Sequence, residues 1–207
     1  MYIPPAFAEN RPEALHAIMR ASSLPVLISP RRGGGLLATH LPLLLQAPDR
    51  LIGHVAKAND HWRDYDPEQE SLAIFSAADG YVSPSWYPSK RVHGRVVPTW
   101  NYSVVHASGR LSVIHETGEK RAIVSALTDA HEAGRAAPWS VTDAPADFII
   151  GQLKGIVGLA LAITRLEGKV KLSQNRGEED RNGVIAGVER ENPALARAMR
   201  RARGDPA

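Results

Sequence analysis

The sequence predicts an α+β fold, mainly antiparallel β, and three features of its 207 residues predict it. Short runs rich in Val, Ile and Leu recur through the first two thirds of the chain, divided by Gly- and Pro-rich clusters that read as turns. Beyond residue 117 the apolar spacing changes to a helical period. No internal repeat, long linker or low-complexity block interrupts the chain, so a single domain over 1–207 is expected, with 178–207 as a basic helical extension.

Taken in order, "NRPEALHAIMRAS" predicts a first helix with Asn10 as cap, Pro12 in the first turn, and Leu15, Ile18 and Met19 on one face. The runs "LPVLIS" and "LLATHLPLLL" follow as β structure, joined by "PRRGGG", which has the composition of a hairpin connection. Further strands are expected in "SLAIFSA", "GYVSPSWY", "VVPTWNYSVVHA" and "GRLSVI". In "EKRAIVSALTDAHE", Ile123, Leu127 and Ala130 recur at helical intervals, and "DAPADFIIGQLKGI" opens with Asp143 as cap and Pro145 near the first turn. "GLALAITRLEGKVKLSQNR" returns to a β pattern, and "EEDRNGVIAGVERENPALARAMRRAR" closes the chain as one or two helices broken near Pro193.

Composition excludes several classes of function. Hydrophobic residues make up 43% and charged residues 23%, ordinary globular values, and no apolar run approaches the roughly 18 residues of a membrane span, so no membrane partner is expected. The opening "MYIPPAFAEN" has neither the basic start nor the apolar stretch of a secretory signal, which makes the cytoplasm the expected location. The absence of cysteine removes disulfides, thiolate metal sites and cysteine nucleophiles together. A net charge of +3 permits a phosphate-bearing partner without requiring one. His40, His54, His61, His93, His106 and His131 lack the close spacing of a ligand set, so no metal is expected, and His40 and His54 read as interior residues of apolar segments. There is no G-x-S-x-G, Walker A or G-x-G-x-x-G sequence, and no residue stands out as a catalytic acid, base or nucleophile.

Two segments concentrate polar chemistry. In "VPTWNYSVVHASGRL", strand alternation puts Thr99, Asn101 and Ser103 on one face and Trp100, Tyr102, Val104 and His106 on the other. Small hydrogen-bonding groups beside an aromatic face suit a flat polar heterocycle. They also suit a solvated face above an aromatic core, the commoner cause of such alternation in half-buried strands. In "GKVKLSQNR", Lys169, Lys171 and Ser173 share one face, with Val170 and Leu172 opposite, followed by the donors Gln174, Asn175 and Arg176. That set suits a phosphate grip, or an edge strand protected by lysines. A third segment, "GHVAKAND", would bring His54 and Lys57 together if helical, with Asn59 following. The tail carries Arg190, Arg197, Arg200, Arg201 and Arg203, a basic helix suited either to solvent or to DNA phosphates, and no helix-turn-helix accompanies it.

The blocks "ATHLPLLL", "GHVAKANDHW", "YVSPSWY", "VPTWNYSVVHASGRL" and "IVGLALAITRLEGKVKLSQNR", with the opening "MYIPPAF", resemble the PaiB-type FMN-binding negative transcriptional regulators over essentially the whole chain and in the same order. The resemblance implies an FMN-binding split barrel with flanking helices, similar to the pyridoxamine phosphate oxidase group, built as a homodimer with flavin at the subunit interface. In that frame Lys169, Lys171, Ser173, Gln174 and Asn175 are expected to hold the phosphate or ribityl chain, with Trp100, Asn101 and Tyr102 near the ring and His54, Lys57 and Asn59 as secondary candidates. One departure stands out: where the family has Gly-Pro-His-Ala before "YVSPSWY", this chain reads "SAADGYV" over 76–82, bringing in the carboxylate of Asp79. A regulator is the expectation that follows, with an FMN-dependent oxidoreductase and a flavin-free structural or sensing dimer as alternatives.

Overall fold

A computed structural model describes residues 1–203. In chain order its elements are β1 (Ala8–Glu9), α1 (Pro12–Ala21), β2 (Val26–Pro30), β3 (Leu36–His40), β4 (Leu43–Ala47), β5 (Arg50–Ala56), α2 (His61–Asp64), β6 (Ser71–Val82), α3 (Ser89–His93), β7 (Thr99–Ile114), α4 (Thr117–Glu132), α5 (Ala146–Lys154), β8 (Ile156–Lys171), α6 (Glu178–Glu191) and α7 (Pro193–Arg203). One eight-stranded sheet runs in the order β3-β2-β6-β7-β8-β5-β4, with β1 pairing alongside β8. Every register along it that is resolved pair by pair, from β2–β3 to β5–β8, is antiparallel. No described helix is long and apolar enough to cross a membrane.

The chain forms two compact units, Met1–Ala21 with Ser76–Val105 and Glu167–Ala207, and Ser22–Phe75 with His106–Leu166. In the first, Val82, Tyr87 and Leu172 pack with Val184, Ile185 and Val188 of α6 and Leu195, Ala196 and Met199 of α7. The C-terminal helices therefore supply much of this core, and Arg197 and Arg201 of α7 sit on the opposite side of an apolar stripe. Residues 204–207 of the expected extension, and the side chain of Arg203, lie outside what the structure describes.

In the second unit, α4 places Ile123 and Leu127 against Ile52, Ile114 and Ala160, while Ile149 and Leu153 of α5 pack on Val141. Ala130, the third residue of the expected helical stripe, is exposed. Glu116 caps α4, its carboxylate accepting from Gly118 N at 2.8 Å and Glu119 N at 2.6 Å. Those backbone donors hold its pKa below the usual carboxylate range. Asp143 belongs to a capping box with Ser140 around the turn at Val141–Asp143, and Pro145 occupies the N-cap of α5. The β2–β3 hairpin turns through Gly33, Gly34 and Gly35 at φ of 81°, 110° and 86°, a run of left-handed conformations that only glycine adopts without penalty.

Three expectations are corrected. "SLAIFSA" and "GYV" form one 12-residue strand, and "TWNYSVVHA" and "GRLSVI" form one of 16 residues, because small residues such as Gly80 and Gly109 continue the extended backbone instead of breaking it. "RLIGHVA" is the strand β5, paired through His54 to Gly158, so His54 and Lys57 do not share a helix face. His40 is exposed and His54 half-buried; the interior histidine is His61, 2% exposed. Its Nδ1 lies 2.8 Å from Thr39 Oγ1 and its Nε2 2.8 Å from Ser29 Oγ, which continues to Ser71 Oγ at 2.7 Å.

Candidate functional site

The polar chemistry of the first unit gathers where the start of β7 meets the end of β8. Along β7 the burial pattern is the reverse of a solvated polar face above an aromatic core. Asn101 and Ser103 are buried, whereas Trp100 is 54% exposed and Tyr102 and Val104 are half-buried. Asn101 turns inward because it has partners there: its Nδ2 donates to Ser173 Oγ at 2.9 Å and reaches Met199 Sδ at 3.5 Å. The aromatic face is thus the accessible one.

Three cations lie within electrostatic reach of one another here. Lys169 is 8% exposed; its Nζ donates to Tyr2 O at 3.2 Å and sits 5.5 Å and 5.3 Å from the ring centroids of Tyr2 and Tyr102. Lys171 Nζ donates to Thr99 Oγ1 and, at 2.7 Å, to Trp100 O. The Arg176 guanidinium lies over the Tyr87 ring at 5.0 Å. Among the described residues no carboxylate pairs with any of the three. Burial pushes the Lys171 ammonium below its ordinary pKa; Tyr102 acts the other way, and the charges of Lys169 and Arg176 add to the depression. A cluster of cations partnered only by neutral oxygens and rings is electrostatically incomplete, and a phosphate monoester is the kind of group that completes it. The donor set therefore fits the phosphate of a flavin mononucleotide.

Beside the cations is a cavity of about 360 Å³ lined by Ser76, Asp79, Trp100, Tyr102, Ser103 and Val104. Such a volume is in the range of small-molecule sites. Tyr81 packs edge-on to Trp100 with centroids 6.5 Å apart, extending the aromatic wall. An aromatic cavity next to a cation cluster matches a ligand with a flat ring at one end and an anion at the other.

The other candidates fall in different places. Ser173 leaves the strand at a left-handed φ of 65°, is 4% exposed, and donates to Asn101 Oδ1 at 3.2 Å. Gln174 closes the same turn, accepting from Leu172 N at 2.6 Å and donating to Val170 O at 2.5 Å. Asn175 is exposed. His54, Lys57 and Asn59 belong to the second unit. There His54 Nδ1 is buried with no hydrogen-bond partner among the described residues, burial depresses its ring pKa, Lys57 is exposed, and Asn59 Oδ1 accepts from His61 N at 2.9 Å. Asp79 and Tyr81, which the polar-strand patterns do not single out, line or flank the cavity; "SAADGYV" is the signal that marks them.

Comparison with known proteins bears directly on this geometry. The family described as "Putative FMN-binding domain" matches residues 1–165. The chain belongs to this FMN-binding family. FMN is the cofactor of the family, as the resemblance implies. Its membership of the PaiB group agrees with a second likeness: the protein is 31% identical over 202 residues, 96% of this chain and 94% of the relative, to "Protease synthase and sporulation protein PAI 2" of Bacillus subtilis. Among solved structures it resembles the FAD and heme binding protein from Mycobacterium smegmatis, with a TM-score of 0.59 at 20% identity over 84% of this chain and 78% of that one. It also resembles the flavocytochrome Anf3 from Azotobacter vinelandii, at 0.58 and 19% over 84% and 74%. These two likenesses are of fold, and with the antiparallel sheet and its flanking helices they give the expected split barrel.

Proposed function

We propose that this FMN-binding family member works as a cytoplasmic, homodimeric regulator of transcription, negative in sign, whose flavin is held by its phosphate on Lys169, Lys171 and Arg176 and by its ring along Trp100 and Tyr102. The observation that carries the flavin site is the uncompensated cation cluster beside an open aromatic wall. When bound, FMN supplies a redox-active ring; the chain's own residues supply anion binding, an aromatic surface and hydroxyl groups. Regulation is supported more indirectly. The Bacillus subtilis relative carries a name tied to protease synthesis and sporulation. Exposed Arg190, Arg197 and Arg201 add a basic surface suited to DNA phosphates, while Arg200 is already paired with Glu189 at 2.5 Å.

The decisive experiment is an absorption spectrum of the purified protein before and after FMN is added, with the bound fraction isolated by gel filtration. Stoichiometric flavin in a dimer peak is expected, followed by gel shifts on genomic fragments that weaken steeply with salt. Flavin-loaded protein that fails to shift any fragment but is reduced by a nicotinamide would replace the regulator with an oxidoreductase. Protein that retains no flavin would leave a flavin-free dimer.

A further inference from the structure

We infer that the cavity of the first unit also binds a small organic cation, an amine or quaternary ammonium, between the Asp79 carboxylate and the Trp100 indole. This deepens the flavin proposal and rests on it in taking the cavity as the functional site. Asp79 is exposed, and among the described residues its carboxylate makes no hydrogen bond or ion pair. Its backbone is nonetheless held in place, because Asn192 Nδ2 donates to Asp79 O at 2.8 Å. Asp79, with its backbone held and its carboxylate unpaired among the described residues, therefore lines the cavity together with Trp100, 54% exposed, against which Tyr81, 49% exposed, packs edge-on.

A carboxylate beside aromatic faces attracts positive charge twice, once by Coulomb interaction and once through the ring quadrupole, and repels anions by both. The chain already uses this wall in that way: the Lys169 ammonium rests 5.3 Å from the Tyr102 centroid. The remaining lining adds no charge, since Ser76 and Ser103 offer hydroxyls that accept from an N–H and Val104 offers apolar contact. Lys169 and Lys171 oppose a second cation, and the flavin ring proposed along Trp100 and Tyr102 shares the indole with it. Cation and flavin should accordingly compete, with choline binding more weakly to FMN-loaded than to FMN-free protein.

The test is calorimetric titration of the full-length protein, with and without FMN, using choline and its uncharged carbon isostere 3,3-dimethylbutanol. Choline is expected to bind about tenfold more tightly than the isostere. Asp79→Asn should erase that preference and Asp79→Glu should retain it, each checked for folding by circular dichroism. Equal affinity for the two probes, no saturable choline binding, or a preference that survives Asp79→Asn would overturn the inference. The wild-type comparison of the two probes decides even where a variant fails to fold. A protein that discriminates the probes but retains no flavin would refute the flavin proposal and leave this one standing, whereas flavin retention without discrimination would do the reverse.

Discussion

Asn101 and Ser173, 72 residues apart, exchange two buried hydrogen bonds, Nδ2 to Oγ at 2.9 Å and Oγ to Oδ1 at 3.2 Å. The pair fastens the start of β7 to the turn after β8 within the first unit. Removing one partner strands the other without water, which costs about 1–3 kcal/mol. Asn101→Ala and Ser173→Ala should each lower the stability measured by urea unfolding by that amount. The double variant should cost less than the sum of the two, as expected when both substitutions remove the same interaction.

Lys171 gives the opposite balance. It is half-buried and bonded to Thr99 Oγ1 and Trp100 O, neither of which is a charged partner. Its folded-state pKa is depressed, so the ammonium gains more from an incoming anion than from its present neighbours. A charge-assisted bond to phosphate contributes about 1.5–3 kcal/mol, so Lys171→Ala should weaken FMN about tenfold or more by flavin fluorescence titration. Riboflavin, which lacks the phosphate, should bind wild type and variant alike. Unchanged FMN affinity would remove Lys171 from the site.

Much of this arrangement is legible in the sequence, and the part that is not has a physical cause. The order of strands and helices follows from period and turn chemistry, and the two donor-rich segments converge in one unit. The facing of β7 could not be read that way. Alternation separates Asn101 and Ser103 from Trp100 and Tyr102, but which pair turns inward depends on Ser173 and Met199, supplied by segments 72 and 98 residues away. Ser173 likewise fails the alternation because the strand ends at Lys171 and the backbone passes into a left-handed turn. His61 was hidden for the same reason: Thr39, Ser29 and Ser71 come from three different strands.

That histidine makes the stability of the second unit depend on pH. Burial depresses the His61 pKa below its ordinary 6.5, so the unfolded chain takes up a proton more readily than the folded one. Stability is then fully present above about pH 6.5 and declines as pH falls from there toward the folded-state pKa. His54, also depressed by burial, acts in the same window. Melting temperatures measured from pH 7.5 down to 5 should fall for wild type. His61→Gln, less stable at pH 7.5 through lost hydrogen bonds to Thr39 and Ser29, should show a shallower decline. An equal slope in the variant would assign the pH dependence to other groups.

Gly183 of α6 tests the packing that shapes the first unit. A Cβ built there would run into the carbonyl oxygen of Trp86 and lie 2.8 Å from Pro88 Cδ, both in the segment leading into α3. On an exposed helix, Gly→Ala would gain up to about 1 kcal/mol from helix propensity. Here the contact is with backbone and with a proline ring that cannot swing aside, so the steric term outweighs that gain, and overpacking of this kind costs about 1–3 kcal/mol. Gly183→Ala should therefore lower the melting temperature. Gly134→Ala, at a site where the new Cβ meets nothing within 4 Å, should not. A Gly183→Ala protein as stable as wild type would mean that α6 can draw back from Trp86 without loss, and that the α6–Trp86 contact does not set the position of the C-terminal helices.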